Sequence, residues 1–270
     1  MPPENEPYVI EWFAFGRAKD GGPVRWVANG HRTHPVGLLP LNKSRYLAAP
    51  WESKNVESVV LRMLAACSRV VDIVAQPHSL FIGVRGLRRQ LRYTPDIELL
   101  VHPAFLEELE SERPLHEIVA APFSLPPQSF KPVHLILELK SDADSRLADE
   151  AAQTKMRMVT AIYRHVGRSF RILLESPHIS SRFTDTLISL EVAAQDRVGA
   201  PELSRCLLAF GRKRCMHYGE LSQLLGGQPL GERLVKALHY KNAVSIDLRN
   251  GLTALSPVWL RIADGQHGHA

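Results

Sequence analysis

The chain has 270 residues, of which 45% are hydrophobic and 23% charged, values ordinary for a protein that buries a sizeable core. That composition excludes wholesale disorder, collagen and coiled coil, and the length suits one large domain or a main domain with a small companion. Net charge is +5 with a pI of about 9.2. No apolar run reaches membrane-spanning length, and the start MPPENEPYVIEW has neither the basic residues nor the apolar core of a signal peptide. The expectation is a soluble, cytoplasmic protein with no membrane partner. Cys67, Cys206 and Cys215 form no CxxC pair and no zinc spacing, so they read as reduced thiols, and the twelve His lack the HExxH pattern.

The first fifty residues hold short β-like pieces, VIEWFAF and VRWVANG, separated by Gly and Pro. Val56, Val59, Val60, Met63 and Leu64 then fall at helical spacing and predict an amphipathic helix over about 53–67. VVDIVAQPHSLFIGV is β-branched and apolar, broken at Gln76-Pro77, and QLRYTPDIELLV reads as a further strand. From Pro103 to Pro132 lies an acidic, proline-rich excursion with at most one short helix expected. HLILELK is a buried strand by composition. Leu147, Ala151, Met158, Ala161 and Ile162 trace one face of a helix over 147–166, which Gly167 is placed to stop, and FRILLES closes the unit as a strand. The order from residue 53 is α-β-β-β-α-β, an α/β arrangement with a mixed sheet covered on its faces.

After residue 185 the pattern changes. ISLEVAAQDR, SRCLLAFGRK, MHYGELSQLLG and GERLVKALHYKN read as helices, with Gly226-Gly227 as a turn. VSIDLRNGLTALS reads as a hairpin around Asn250-Gly251. Helices followed by a β-hairpin make a winged-helix-like pattern. The segments expected are therefore 1–50, an N-terminal extension with short strands; 51–185, the α-β-β-β-α-β unit; and 186–270, the winged-helix-like unit.

Charge is locally segregated. Arg85, Arg88, Arg89 and Arg92 crowd GVRGLRRQLRY, while five Glu lie between Glu107 and Glu117. A basic cluster of this kind fits a polyanion such as DNA, or else a solvated basic hairpin. Glu138 and Lys140 end the apolar strand two residues apart and so project from one face. Isolated charges are costly to desolvate, so such an ending marks a cleft; an exposed strand end with a weak ion pair is the plainer alternative. Asp96, directly after Pro95, begins the preceding strand. If the strands are neighbours, Asp96, Glu138 and Lys140 converge, and two carboxylates with a backbone carbonyl form a hard oxygen site suited to Mg2+. Glu98 shares the strand face of Asp96 and ranks below it, because Pro95 fixes Asp96 at the strand's start.

The ordered set Glu57 in VESVVLRML, Gln76-Pro77 in AQPHSLFI, Tyr93-Thr94-Pro95-Asp96 and Glu138-Leu139-Lys140 resembles the PD-(D/E)xK nuclease superfamily. Within it the chain is most similar to the TnsA family, the endonuclease subunit of Tn-seven-like heteromeric transposases. The resemblance covers roughly residues 50–180, and the tail agrees with that family's two-part layout. It implies a restriction-endonuclease-like core with a C-terminal winged-helix-like domain. It also implies a Mg2+-dependent DNA endonuclease, with Mn2+ able to substitute, that cuts the 5′ strands at transposon ends during cut-and-paste transposition. Its partners would be double-stranded DNA, a TnsB-like DDE transposase and a TnsC-like ATPase regulator that contacts the C-terminal domain, and it would be nucleoid-associated when acting. Asp96 and Glu138 would hold the metal, with Lys140 beside the attacking water. Glu57 would complete the acidic cluster; Glu52 competes with it, but the 19-residue gap from Glu57 to Gln76 fits the family better. Gln76 would line the cleft or bond only backbone. Lys155 would reach a phosphate or stand as a solvated helix residue, and Arg85, Arg88, Arg89 and Arg92 would track the DNA backbone. The 42 residues from Asp96 to Glu138 exceed the family's usual gap, which places the Pro103–Pro132 excursion as a loop at the cleft's edge.

Two other readings use the same residues: an autonomous restriction- or repair-type nuclease, and a catalytically idle adaptor that binds DNA or protein. Arg212, Lys213 and Arg214 would also permit the tail to bind DNA directly.

Overall fold

The computed structural model describes residues 8–26, 35–44, 46–125 and 130–261. Part of the expected VRWVANG strand lies outside these residues. The chain is of the mixed α/β class, built around two sheets that share the work of the single strand run read from sequence.

The larger sheet holds β4 (Val70–Ala75), β7 (Ile97–Val101), β8 (Val133–Lys140) and β9 (Ser169–Leu174), in that order. β4–β7 and β7–β8 are antiparallel, and β8–β9 is parallel. The parallel pair needs a crossover, which α4 (Glu150–His165) supplies. Asp149 caps α4 by accepting from the Ala151 and Ala152 N–H groups, and Gly167, at φ 71°, ends it. The second sheet has the order β1 (Ile10–Gly16), β5 (Ser79–Val84), β6 (Leu91–Tyr93). A separate hairpin pairs β2 (Gly37–Pro40) with β3 (Ala48–Trp51).

The run through 70–84 is broken at Gln76-Pro77 as expected, and the single strand expected over 90–101 is broken as well; in each case the two halves belong to different sheets. The run through 70–84 breaks at Gln76, whose φ of 45° turns the chain out of one sheet into the other. The run through 90–101 breaks at Thr94-Pro95-Asp96, where Pro95 cannot donate to a ladder. Both breaks lie at the same end of the larger sheet, since Gln76 N–H donates to the Asp96 carbonyl at 2.7 Å.

Alternation along β7 and β8 sorts side chains to two faces. Ile97, Leu99, Leu135, Leu137 and Leu139 enter a core shared with α1 (Glu57–Ala66) and the C-terminal elements, whereas Ile136 joins Met158, Val159, Ile162 and Tyr163 of α4 beneath the second sheet. The buried face of α4 is therefore 158, 159, 162 and 163; the expected Ala151 is exposed, and Leu147 and Ala161 border a cleft instead.

The acidic excursion is a further correction. It forms α2 (Pro103–Glu110) and α3 (Leu115–Ala120), two helices rather than one. Phe105, Leu109, Leu115 and Ile118 are buried in the main core, so the segment packs as structure and does not edge the cleft as a loop. Glu107, Glu110, Glu112 and Glu117 are exposed, which made it look like a solvated loop, whereas Glu108 pairs with the buried Arg69. β7 and β8 remain direct neighbours in spite of the insertion.

Past a single helical turn, α5 (Glu175–His178), come α6 (Ser181–Glu191) and α7 (Ala200–Phe210). α6 begins seven residues before the predicted Ile188 and runs through the expected 185/186 boundary. Then follow β10 (Cys215–His217), α8 (Tyr218–Leu224), α9 (Leu230–Tyr240), β11 (Val244–Ile246) and β12 (Pro257–Leu260), with sheet order β10-β12-β11. The Gly226-Gly227 turn joins α8 to α9 at φ 124° and 70°. The hairpin exists, but Asn250-Gly251 is not its two-residue turn: ten residues, 247–256, connect the strands, and Ser256 Oγ closes that loop by bonding Thr253 N–H and the Gly251 carbonyl. One hydrophobic cluster holds residues from Leu39 to Leu260 and so draws on all three expected segments.

Candidate active site: carboxylates in a basic cleft

The β7–β8 register pairs Ile97 with Leu137 and Glu98 with Ile136. The next residues out, beyond the last ladder pair, are Asp96 and Glu138. The strand break at Pro95 leaves Asp96 outside the ladder, half-buried, and its Oδ2 accepts the Leu139 backbone N–H at 2.6 Å. Glu138 and Lys140, 6% and 8% exposed, share one face of β8. Lys140 Nζ donates to Glu138 Oε1 at 2.5 Å and lies 3.6 Å from Asp144 Oδ2. Glu57, the first residue of α1, accepts the Glu52 N–H at 2.8 Å. Asp96, Glu138, Lys140, Glu57 and Glu52 line one cleft of about 920 Å³.

The cleft's electrostatics follow from crowding like charges in a partly dry place. Burial first, then the charges of Glu138 and Glu57, push the Asp96 carboxyl well above the usual range. Burial, together with Glu52 and Glu138, raises Glu57 to about 7. Carboxyls that resist ionising beside one another are stabilised as anions by a cation between them, and oxygen-only donors favour a hard divalent ion. Among the described residues no three His, Cys, Asp or Glu side chains form a complete ligand set. The two donors that could hold an ion such as Mg2+ are the carboxylates of Asp96 and Glu138.

Glu98 is placed differently. It is buried on the same sheet face, as expected, but lies amid Arg17 (2.9 and 3.1 Å), His134 (3.2 Å), His78 (3.5 Å) and Arg168 (3.5 Å). Burial opposes its charge, yet the neighbouring His78 and the two guanidinium groups outweigh it and hold the carboxyl at about 2. Glu98 is committed to its ion pairs with Arg17 and Arg168.

Gln76 is buried beside the cleft. Its side chain accepts from Arg25 Nε at 3.0 Å and donates to Glu52 Oε1 at 3.3 Å, so it bonds side chains as well as backbone. Arg25 also pairs with Glu52. Lys155 reaches the cleft, 5.8 Å above the Tyr93 ring, and burial lowers its pKa.

The four arginines of the basic turn do not act as one group. Arg92 alone lines the cleft, bonded to Ser79 Oγ and lying over the Phe81 ring. Arg85 pairs with Glu11, and Arg88 and Arg89 stand exposed at the turn. In the tail, Lys213 pairs with Glu220 at 2.6 Å.

Sequence reasoning missed Arg25, Arg146, Arg157 and Arg164, all of which line the cleft. Gln153, Arg157, Thr160 and Arg164 do so from α4 at i, i+4, i+7 and i+11, a polar stripe that the same helical spacing would have revealed. Nothing local marks Arg25 or Arg146. The result is an acidic floor with basic walls. Comparison of the chain with protein-family models and with curated proteins gives no match.

Proposed function

We propose that this chain is a Mg2+-dependent DNA endonuclease of the TnsA kind, which hydrolyses the 5′ strands at transposon ends alongside a DDE transposase and an ATPase regulator. The observation that carries the reading is the Asp96 carboxylate bonded to the Leu139 N–H, next to Glu138 and Lys140 on one face of β8, at the floor of a cleft walled by arginines. The order α1-β4-β7-β8-α4-β9 supports a restriction-endonuclease-like core once the second sheet is treated as an insertion. The order α7-β10-α8-α9-β11-β12 supports a winged-helix-like unit, the surface offered to the ATPase regulator.

The residues divide the work as follows. Asp96 and Glu138 would hold the ion, and the Leu139 N–H fixes the Asp96 carboxylate in place. When bound there, Mg2+ supplies positive charge at the phosphate and a more acidic water. Lys140 keeps its ammonium between Glu138 and Asp144, where it orients the water and offsets charge that builds on the phosphoryl oxygens. Glu57, half-protonated near neutrality, takes a proton at its carboxylate from the cleft. Arg92, Lys155, Arg157 and Arg164 hold the flanking phosphates, an affinity with little sequence preference, so end selection falls to the partner.

The test is nicking of duplex DNA carrying the element's ends, in Mg2+, by wild type and Asp96→Ala, each alone and with the neighbouring transposase subunits. Nicking at the 5′ ends only with partners, and lost in the variant, is the expected result. Cutting by the protein alone would favour an autonomous nuclease. No cutting in any mixture, with DNA binding unchanged by the substitution, would favour an idle adaptor.

A further inference from the structure

Both oxygens of Glu138 are held, and only one donor belongs to the Glu138–Lys140 pair. Lys140 donates to Oε1, while the Tyr93 hydroxyl donates to Oε2 at 2.6 Å. Tyr93 ends β6 and so belongs to the second sheet, yet its hydroxyl reaches the carboxylate of a strand in the first. The residue is buried. Its ring meets Phe170 edge-on, with centroids 6.3 Å apart and planes at 83°, and the Lys155 ammonium lies 5.8 Å from its centre. A ring fixed in this way has two torsions and little freedom in either, so the hydroxyl occupies a set point.

A buried tyrosine hydroxyl needs some partner, and a backbone carbonyl would serve. Here the partner is the carboxylate facing Asp96. With Tyr93 on one oxygen and Lys140 on the other, the plane of the carboxyl group is defined from two sides. Such outer partners commonly govern metal affinity at ligating carboxylates.

We infer that Tyr93 is a positioning residue for the cation site: its hydroxyl fixes the Glu138 carboxylate in the orientation that shares an ion with Asp96. The inference rests on the reading of Asp96 and Glu138 as a cation-binding pair, and the test separates the two. Mn2+ is titrated calorimetrically into the full chain, without DNA, for wild type, Tyr93→Phe, Tyr163→Phe and Asp96→Asn, with circular dichroism to check the fold. Tyr93→Phe keeps the ring and should weaken Mn2+ binding by about tenfold. Tyr163→Phe removes a buried hydroxyl of the same cluster that pairs with His78 rather than Glu138, and should stay within about twofold of wild type. Unchanged Mn2+ affinity in Tyr93→Phe, or an equal loss in Tyr163→Phe, overturns the role of Tyr93 and leaves the cation site standing. Absence of Mn2+ binding by wild type, or unaltered binding by Asp96→Asn, overturns the cation-site reading and this inference with it.

Discussion

Gln76 donates its backbone N–H to the Asp96 carbonyl at 2.7 Å from a left-handed conformation, φ 45°, that a residue with a side chain adopts only when its surroundings compel it. The bond joins the two points at which the chain leaves one sheet for the other. The Asp96 backbone is pinned by Gln76 and its carboxylate by Leu139, so the acid is set from both ends. Replacement by alanine keeps the backbone strain and loses the bonds to Arg25 and Glu52; replacement by glycine loses the same bonds but removes the strain. Gln76→Gly should therefore be the more stable variant by about 1 kcal/mol, measured by urea denaturation of the pair.

The raised carboxyls make stability depend on pH in a defined direction. A group whose folded pKa exceeds its unfolded value binds its proton more tightly when folded, so it favours folding at low pH and ceases to as pH rises through the folded value. For Glu57 the window runs from its ordinary 4.5 to about 7. The metal-free protein should lose on the order of 1–3 kcal/mol between pH 5 and pH 8. Glu57→Gln should flatten that slope, and Mg2+ at pH 8 should restore the loss in the wild type. Glu98 and Asp144, held at about 2, act in the opposite sense and only in acid, as pH falls from their ordinary values through about 2. Chemical denaturation at a series of pH values reads both effects.

The basic walls predict a contrast among arginines. Arg92→Ala, Arg157→Ala and Arg164→Ala should each weaken duplex DNA binding and lower the slope of log affinity against log salt by about one. Arg88→Ala and Arg89→Ala, at the exposed turn, should change that slope less. Fluorescence anisotropy at several salt concentrations, with Ca2+ in place of Mg2+, gives the slopes without cleavage.

The 103–120 helices should behave as core. Phe105→Ala should cost about 3–5 kcal/mol and Ile118→Ala about 2–5 kcal/mol, read by denaturation, because both side chains are fully buried. A solvated loop would give changes near zero.

The parts of this arrangement legible in the sequence are those fixed by short-range geometry. Glu138 and Lys140 share a face because a strand repeats every two residues, and Asp96 stands at a strand's start because Pro95 cannot enter a ladder. Helix α4 was visible in its period and in Gly167. Partnership between strands was not visible: nothing in VVDIVAQPHSLFIGV says that its halves belong to different sheets, and a left-handed Gln leaves no compositional mark. Arg25 bonds Gln76 across 51 positions, a contact no local pattern encodes. The insertion misled because its prolines and the five Glu between 107 and 117 look like a solvated loop, although Phe105 and Leu109 stand four apart, as one helix face requires. The Asn250-Gly251 pair misled for the reverse reason: a strong local turn signal yielded to the Ser256 bonds that shape a longer loop.

The central claim is that Asp96 and Glu138 hold one divalent ion. Anomalous scattering from Mn2+ in crystals of the wild-type protein tests it most directly. The expected result is a peak bonded to oxygens of both side chains, lost in Asp96→Asn. A peak elsewhere in the cleft, or none between these two carboxylates at saturating Mn2+, would contradict it.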